Sequence, residues 1–300
     1  MYCCLVVLLY CYLLIRDSSI KFKFTSNEKA MINWNYLTNL AREHRGLLIF
    51  SFLFVALFQL LILTLITEAD FMSIIEQVYA RIPPQMQILF GDQFISQFSL
   101  NGIVGFGFNH PLILITIIMV AIILPARHLA GEVEEGTLEL LLSMPVSRFT
   151  IAFSLWLFTA IALAWLVLGC WTGIGLGMIL FPETHTLYRP GLLRSGFNLW
   201  LLMLTIGSYT FLISSFLKER GKASQRAAAI TIFFYFLKFA VKIWSKIDFL
   251  EPFSVFNYYQ PQELMMQKPL PIMHLAVLAA LIILCSALAF RQVGRRDVPG

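Results

Sequence analysis

Long runs of apolar residues broken by short polar stretches dominate the chain from Leu47 onward. A helical run of about 20 apolar residues crosses the roughly 30 Å hydrocarbon core of a bilayer, at about 1.5 Å per residue. The pattern predicts about six transmembrane helices, over Leu47–Ile66, Pro111–Pro125, Phe149–Phe181, Leu199–Leu217, Ala227–Trp244 and Met273–Phe290. The second is extended by the Gly-rich stretch Gly102–Phe108, and the third, a 33-residue run, reads as one tilted or protruding crossing. In the third, Gly169, Gly173 and Gly177 recur every four residues. They form either a small-residue packing stripe or incidental glycine in an apolar helix. Ahead of the first span, Asn35–Arg45 with Trp34 mixes interfacial aromatics with Arg42 and Arg45, and predicts a short helix lying flat on the membrane. Residues 1–30 differ from the rest: an apolar run to Ile15, short for a span, then the basic Arg16–Lys29. With neither a positive n-region nor a small-residue cleavage site, they make a poor signal peptide. They read as an over-extended reading frame before Met31, or else as an extra anchor, leaving 31–300 as one transmembrane domain.

Composition narrows the class to an all-α polytopic membrane protein. The chain is 59% hydrophobic and only 13% charged, with mean hydropathy +0.78, where a soluble domain carries about 25% charged residues. The net charge of +5 sits in small groups between apolar runs, not along one face, so nucleic acid is not indicated. Those groups set topology instead. Arg42, Arg45, Arg127, Arg148, Lys218, Arg220, Lys222, Arg226, Arg291, Arg295 and Arg296 outnumber Arg81, Arg189, Arg194, Lys246 and Lys268 in the alternate loops. The excess places both termini in the cytoplasm.

Catalytic and metal chemistry find little support in the sequence. All five cysteines lie in apolar stretches without C-x-x-C spacing, so neither a disulfide framework nor a zinc site is indicated. His44, His110, His128, His185 and His274 are scattered with no i, i+4 pairing, which argues against a metal site. Gly221-Lys222-Ala223-Ser224 fails as a P-loop: Ala follows the lysine and Phe216 stands where the first glycine belongs. Ser208, Ser214 and Ser215 have no G-x-S-x-G context, so no hydrolase is indicated.

The polar loop between spans two and three is the most informative segment. On helical spacing, Glu132, Glu135 and Glu139 share one face and Leu138, Leu141 and Leu142 another, which predicts a short amphipathic helix ended near Pro145. A helix that merely rests on the cytoplasmic leaflet should be basic, because that surface is negative. This one is acidic, so a protein partner explains it better.

The run Gly131-Glu132-Val133-Glu134-Glu135-Gly136-Thr137-Leu138-Glu139-Leu140-Leu141-Leu142-Ser143-Met144-Pro145-Val146-Ser147-Arg148 resembles the G-E-x-E-x-G-T-L-[DE]-L-L-L-x-x-P-V-S-R signature of ABC transporter permeases of the type-2 exporter class. Arg295-Arg296-Asp297-Val298-Pro299 is similar to the R-R-D-[IV]-P ending common among them. The resemblance implies a multi-pass subunit in a prokaryotic plasma membrane. It would pair with a second permease copy or paralogue and dock separate cytoplasmic ATPase subunits that bind the ATP, with no cofactor of its own. By matching position, Glu132, Glu134, Glu135, Gly136, Thr137, Leu138, Glu139 and Leu141 would form the coupling helix that seats on the ATPase.

Lys238, Lys242 and Lys246 fall on one face of the fifth predicted span. An ammonium deep in a bilayer costs more than about 2.5 kcal/mol unless it meets water or a partner. Lys246 and Lys242 can snorkel outward, whereas Lys238 either pairs structurally or, with Lys242, lines a polar pathway. The alternative function, a stand-alone secondary carrier or membrane-embedded enzyme, would call for duplicated halves or midplane ionisable residues. The sequence has no internal repeat.

Overall fold

The computed structural model describes residues 32–68, 77, 99–136, 147–269 and 271–295. Every regular element among them is helical. The chain runs through α1 (Trp34–Glu68), α2 (Leu100–Asn109) and α3 (Pro111–Pro125), which passes into a π-helical turn at Ala126–Gly131 and a last helical turn at Glu132–Glu134. There follow α4 (Arg148–Leu180), α5 (Arg189–Phe216), α6 (Arg220–Ile243), 3₁₀ turns at Ser245–Phe253 and Val255–Tyr258, α7 (Pro261–Met265) and α8 (Ile272–Arg295).

Among the described residues, five segments are long and apolar enough to cross a membrane: Trp34–Thr67, Leu100–Glu134, Arg148–Leu180, Arg189–Phe216 and Ile272–Arg295. The helix α6, the fifth predicted span, falls outside that set because it carries Arg226, Lys238 and Lys242. Its first turn nevertheless packs Ala223 against Ala126 and Ala130 beside the π turn. Farther along, Ser254 Oγ donates to the Phe234 carbonyl at 2.7 Å and Tyr235 meets the Phe256 ring edge-on.

The expectation of a separate interfacial helix is corrected. Asn35–Arg45 forms the first turns of α1, one unbroken helix of 35 residues. No proline interrupts it, and Gly46 has open space around it rather than a turn to serve. The start of α1 is pinned instead: Asn33 Oδ1 accepts from the Tyr36 N–H at 3.1 Å, an N-cap contact, while the Asn33 N–H donates to Ser154 Oγ on α4 at 3.0 Å.

The glycine stripe is a packing surface. A Cβ on Gly173 would lie 2.1 Å from the Ala56 carbonyl oxygen, one on Gly169 3.1 Å from the Phe52 oxygen, and one on Gly177 2.7 Å from Leu63 Cδ1. Backbone therefore approaches backbone along α1 and α4, as small residues permit in lipid. The opposite side of α1 exposes Phe50, Leu53, Leu57, Leu61 and Leu65 at spacings of three and four. So long an apolar stripe belongs against lipid or another apolar surface.

The second span is broken. His110 is extended (φ −65°, ψ 134°) because the residue before a proline is pushed out of the α region, and its Nδ1 accepts from the Leu112 N–H at the start of α3. Beyond the break α2 packs on α7, where a Cβ on Gly105 would sit 2.8 Å from Gln262 Cα. Tyr259 is fully buried and donates to the Phe108 carbonyl at 2.9 Å. Asn198 Nδ2 donates to the Tyr258 carbonyl and Ser195 Oγ to the Pro261 carbonyl. Residues 254–265 thus close this end of the bundle, satisfying irregular backbone internally as a bilayer requires.

Candidate functional site

At the opposite end, the extension of α3 is the predicted coupling segment, and it is built differently from the expectation. Pro125 has no N–H, and its ring crowds the preceding turn. The Ala126 N–H is shared between the carbonyls of Ile122 and Ile123, and the following turn widens to π geometry, a distortion concentrated at functional sites. Helix resumes only over Glu132–Glu134. Gly136 then takes φ +70°, the left-handed conformation that suits glycine and ends helices. The expected amphipathic helix is therefore interrupted after Glu134 by the turn at Glu135–Gly136. Thr137, Leu138, Glu139 and Leu141 lie outside the described residues.

The described glutamates have three different settings. Glu132 turns inward, where its Oε1 accepts from the Tyr36 hydroxyl of α1 at 3.3 Å and lies 3.3 Å from His128 Nδ1. Glu134 Oε2 accepts from the Arg220 N–H at 2.7 Å, a carboxylate on the first turn of α6 where the helix dipole favours it. Glu135 is exposed.

Two histidines that sequence spacing kept apart meet here. His44 of α1 and His128 of the π turn are both buried, with Nε2 atoms 2.6 Å apart and rings edge-on at 89°. Beside them Glu43 pairs with Arg127, Nη2 to Oε1 at 2.7 Å. The segment 126–136 is thereby tied to α1 through Tyr36, Glu43 and His44, and to α6 through Arg220 and Ala223. A long-range pair between two helices, 84 residues apart, leaves no trace in local spacing.

The lysine stripe ends early. Lys246 is exposed and lies beyond the end of α6 at Ile243, in the 3₁₀ turn, so it does not share a helix face with the others. Lys238 is half-buried, donates to the Tyr259 carbonyl at 3.3 Å and sits 5.9 Å from the centre of its ring. The Lys242 side chain lies outside what the structure describes. Between α3 and α6 runs an apolar groove of about 610 Å³, lined by residues including Leu114, Ile115, Met119, Thr231, Tyr235 and Phe236.

No curated protein matches the sequence. The profile of the ABC-2 family transporter protein matches residues 31–298, which takes in every described residue of the bundle. An all-helical, apolar bundle with a structured extension after its second span is what that match accompanies. The chain belongs to the ABC-2 transporter family and is a membrane subunit of an ABC transporter.

Proposed function

We propose that this chain is the permease half of an ATP-driven exporter in a prokaryotic plasma membrane, with six spans and both termini cytoplasmic. ATP binding and hydrolysis belong to a separate ATPase subunit. The observation that carries this reading is the double anchorage of the α3 extension. A partner pressing on Glu135 and the chain beyond it acts on a segment fastened to α1 by Glu132–Tyr36 and Arg127–Glu43, and to α6 by Glu134–Arg220. Displacement there is shared by three helices at once, as a two-state rearrangement driven by ATPase closure requires.

In this reading Glu135, Gly136, Thr137, Leu138, Glu139 and Leu141 contact the ATPase, while Glu132 and Glu134 fasten that contact to the spans. The apolar groove between α3 and α6 supports pairing with a second permease, a copy or a paralogue, across that face, with Lys238 and Lys242 as candidates for the pathway lining. The deciding experiment is co-purification of the ATPase with Glu135→Lys. Weakened association or ATP turnover uncoupled from transport is expected, with a milder effect from Arg295→Glu. Unchanged assembly and transport for Glu135→Lys, with failure of Arg295→Glu, would assign docking to the tail.

A further inference from the structure

We propose that Glu43, His44 and His128 form a binding site for a divalent transition-metal ion of the zinc class. One ligand atom from each residue falls within a sphere of close approach, all within 4.8 Å of one another. The Nε2 atoms of the two histidines are 2.6 Å apart, and Glu43 Oε2 is 4.0 Å from His128 Nε2. Tetrahedral coordination with bonds of about 2.0–2.2 Å separates ligand atoms by roughly 3.3–3.5 Å. The histidines therefore open by roughly 0.7–0.9 Å, and the carboxylate closes by up to about 1.5 Å, on binding, distances within the reach of side-chain movement.

The protonation pattern is already arranged for it. A carboxylate only accepts, so Glu132 facing His128 Nδ1 at 3.3 Å holds the proton on that nitrogen and leaves the Nε2 lone pair pointing at the site. The Tyr36 hydroxyl donates to the same Glu132 oxygen. This is the carboxylate–histidine arrangement that orients metal-bound imidazoles and raises their basicity. His44 then carries its proton on Nδ1 when the ion is bound, in place of the Nε2–H that bridges the pair without it. Both imidazoles are buried, whereas the Glu43 side chain is 41% exposed and opens the site to solvent. Two imidazoles with one carboxylate suit a borderline ion rather than calcium or magnesium. Arg127 beside Glu43 opposes the ion's charge, but it also holds the carboxylate in place.

Neither the direction of transport nor the ATPase bears on this site, which metal binding alone tests. The full chain, carried on a histidine-free tag and stripped of metal, is titrated with Co²⁺ and followed by ligand-field absorption, with Zn²⁺ as competitor. Stoichiometric binding is expected, abolished in His44→Gln and His128→Gln, and weakened about tenfold to hundredfold in Glu132→Gln, which acts on His128 from the outer shell. The exposed Glu43→Gln, which leaves the buried pair intact, should weaken binding too. A Zn²⁺-dependent rise in thermal midpoint in the parent, smaller in Glu43→Gln at the same Zn²⁺ concentration, reads the same site where a buried variant fails to fold. Equal Co²⁺ affinity in the parent and the double-histidine variant, or no ligand-field band in the parent, leaves only a hydrogen-bonded histidine pair and overturns the proposal.

Discussion

Gly173 is the position where one methyl group should do the most damage. The ideal Cβ lies 2.1 Å from the Ala56 carbonyl oxygen, and from the carbonyl carbon and Cα by 2.9 and 3.0 Å. All three are backbone atoms of a helix, so no side chain can swing away. Restoring a C–H···O contact of about 3.3 Å means parting α1 and α4 by roughly 1.2 Å at this level. Overpacking of a tight contact costs typically about 1–3 kcal/mol, and a rigid backbone neighbour puts Gly173→Ala at the upper end. Gly175 supplies the control, two residues along the same helix with nothing within 4 Å. There alanine gains about 0.5–1 kcal/mol from helix propensity alone. The series should be graded, with Gly169→Ala, 3.1 Å from backbone, and Gly177→Ala, 2.7 Å from the flexible end of Leu63, each milder than Gly173→Ala. Thermal or chemical unfolding of the purified chain in one detergent, read by tryptophan fluorescence, measures the ranking. Should Gly173→Ala prove as stable as Gly175→Ala, the close approach of α1 and α4 is wrong.

Three further outcomes are expected. Tyr259→Phe removes the hydroxyl that donates to the Phe108 carbonyl, and should lower stability by about 1–3 kcal/mol, through a buried acceptor left unmet; a neutral result would detach Tyr259 from the cap. In a cysteine-free background, single cysteines at the exposed Glu135 and Glu183 should react unequally with an impermeant thiol reagent on intact cells, Glu183→Cys labelling and Glu135→Cys not. Equal labelling contradicts the proposed sidedness. Met119→Cys, exposed on the groove between α3 and α6, should give a disulfide-linked dimer on mild oxidation if a second permease covers that face, and monomer alone would move the pairing surface elsewhere.

Hydrophobic length is a local property, so Phe149–Phe181 predicts α4 to within a residue at each end. Less legible were features set by distant contacts. Nothing in Asn35–Arg45 says whether it lies flat or continues into α1; that depends on Ser154, 121 residues away, holding the Asn33 N–H. The cap of residues 254–265 has no local signature, since its order comes from Asn198, Ser195 and Phe108 on other helices. The glycine stripe showed its spacing but not its partner, and only the placement of Ala56 against Gly173 separates packing from coincidence.

The coupling segment shows the same division within a single motif. Its acidity was visible, and so was the physical objection to an acidic helix with no partner on an anionic leaflet. Helical spacing then grouped Glu132 with Glu135, because periodicity assumes a helix that neither widens nor stops. Pro125 and Gly136 bound that assumption on both sides: the first is followed by a π turn, the second ends the helix. Between them the glutamates divide the work, Glu132 and Glu134 reaching back to α1 and α6 while Glu135 faces outward. A docking element needs both kinds of residue, since a contact that binds without being fastened to the spans transmits no motion. The charge reversals should therefore separate: Glu135→Lys acts on association, whereas Glu134→Lys, which loses the cap on the Arg220 N–H, should leave the ATPase bound and reduce transport per ATP hydrolysed. Loss of association from both variants alike would mean that the two glutamates serve one surface and that the fastening of α6 lies elsewhere.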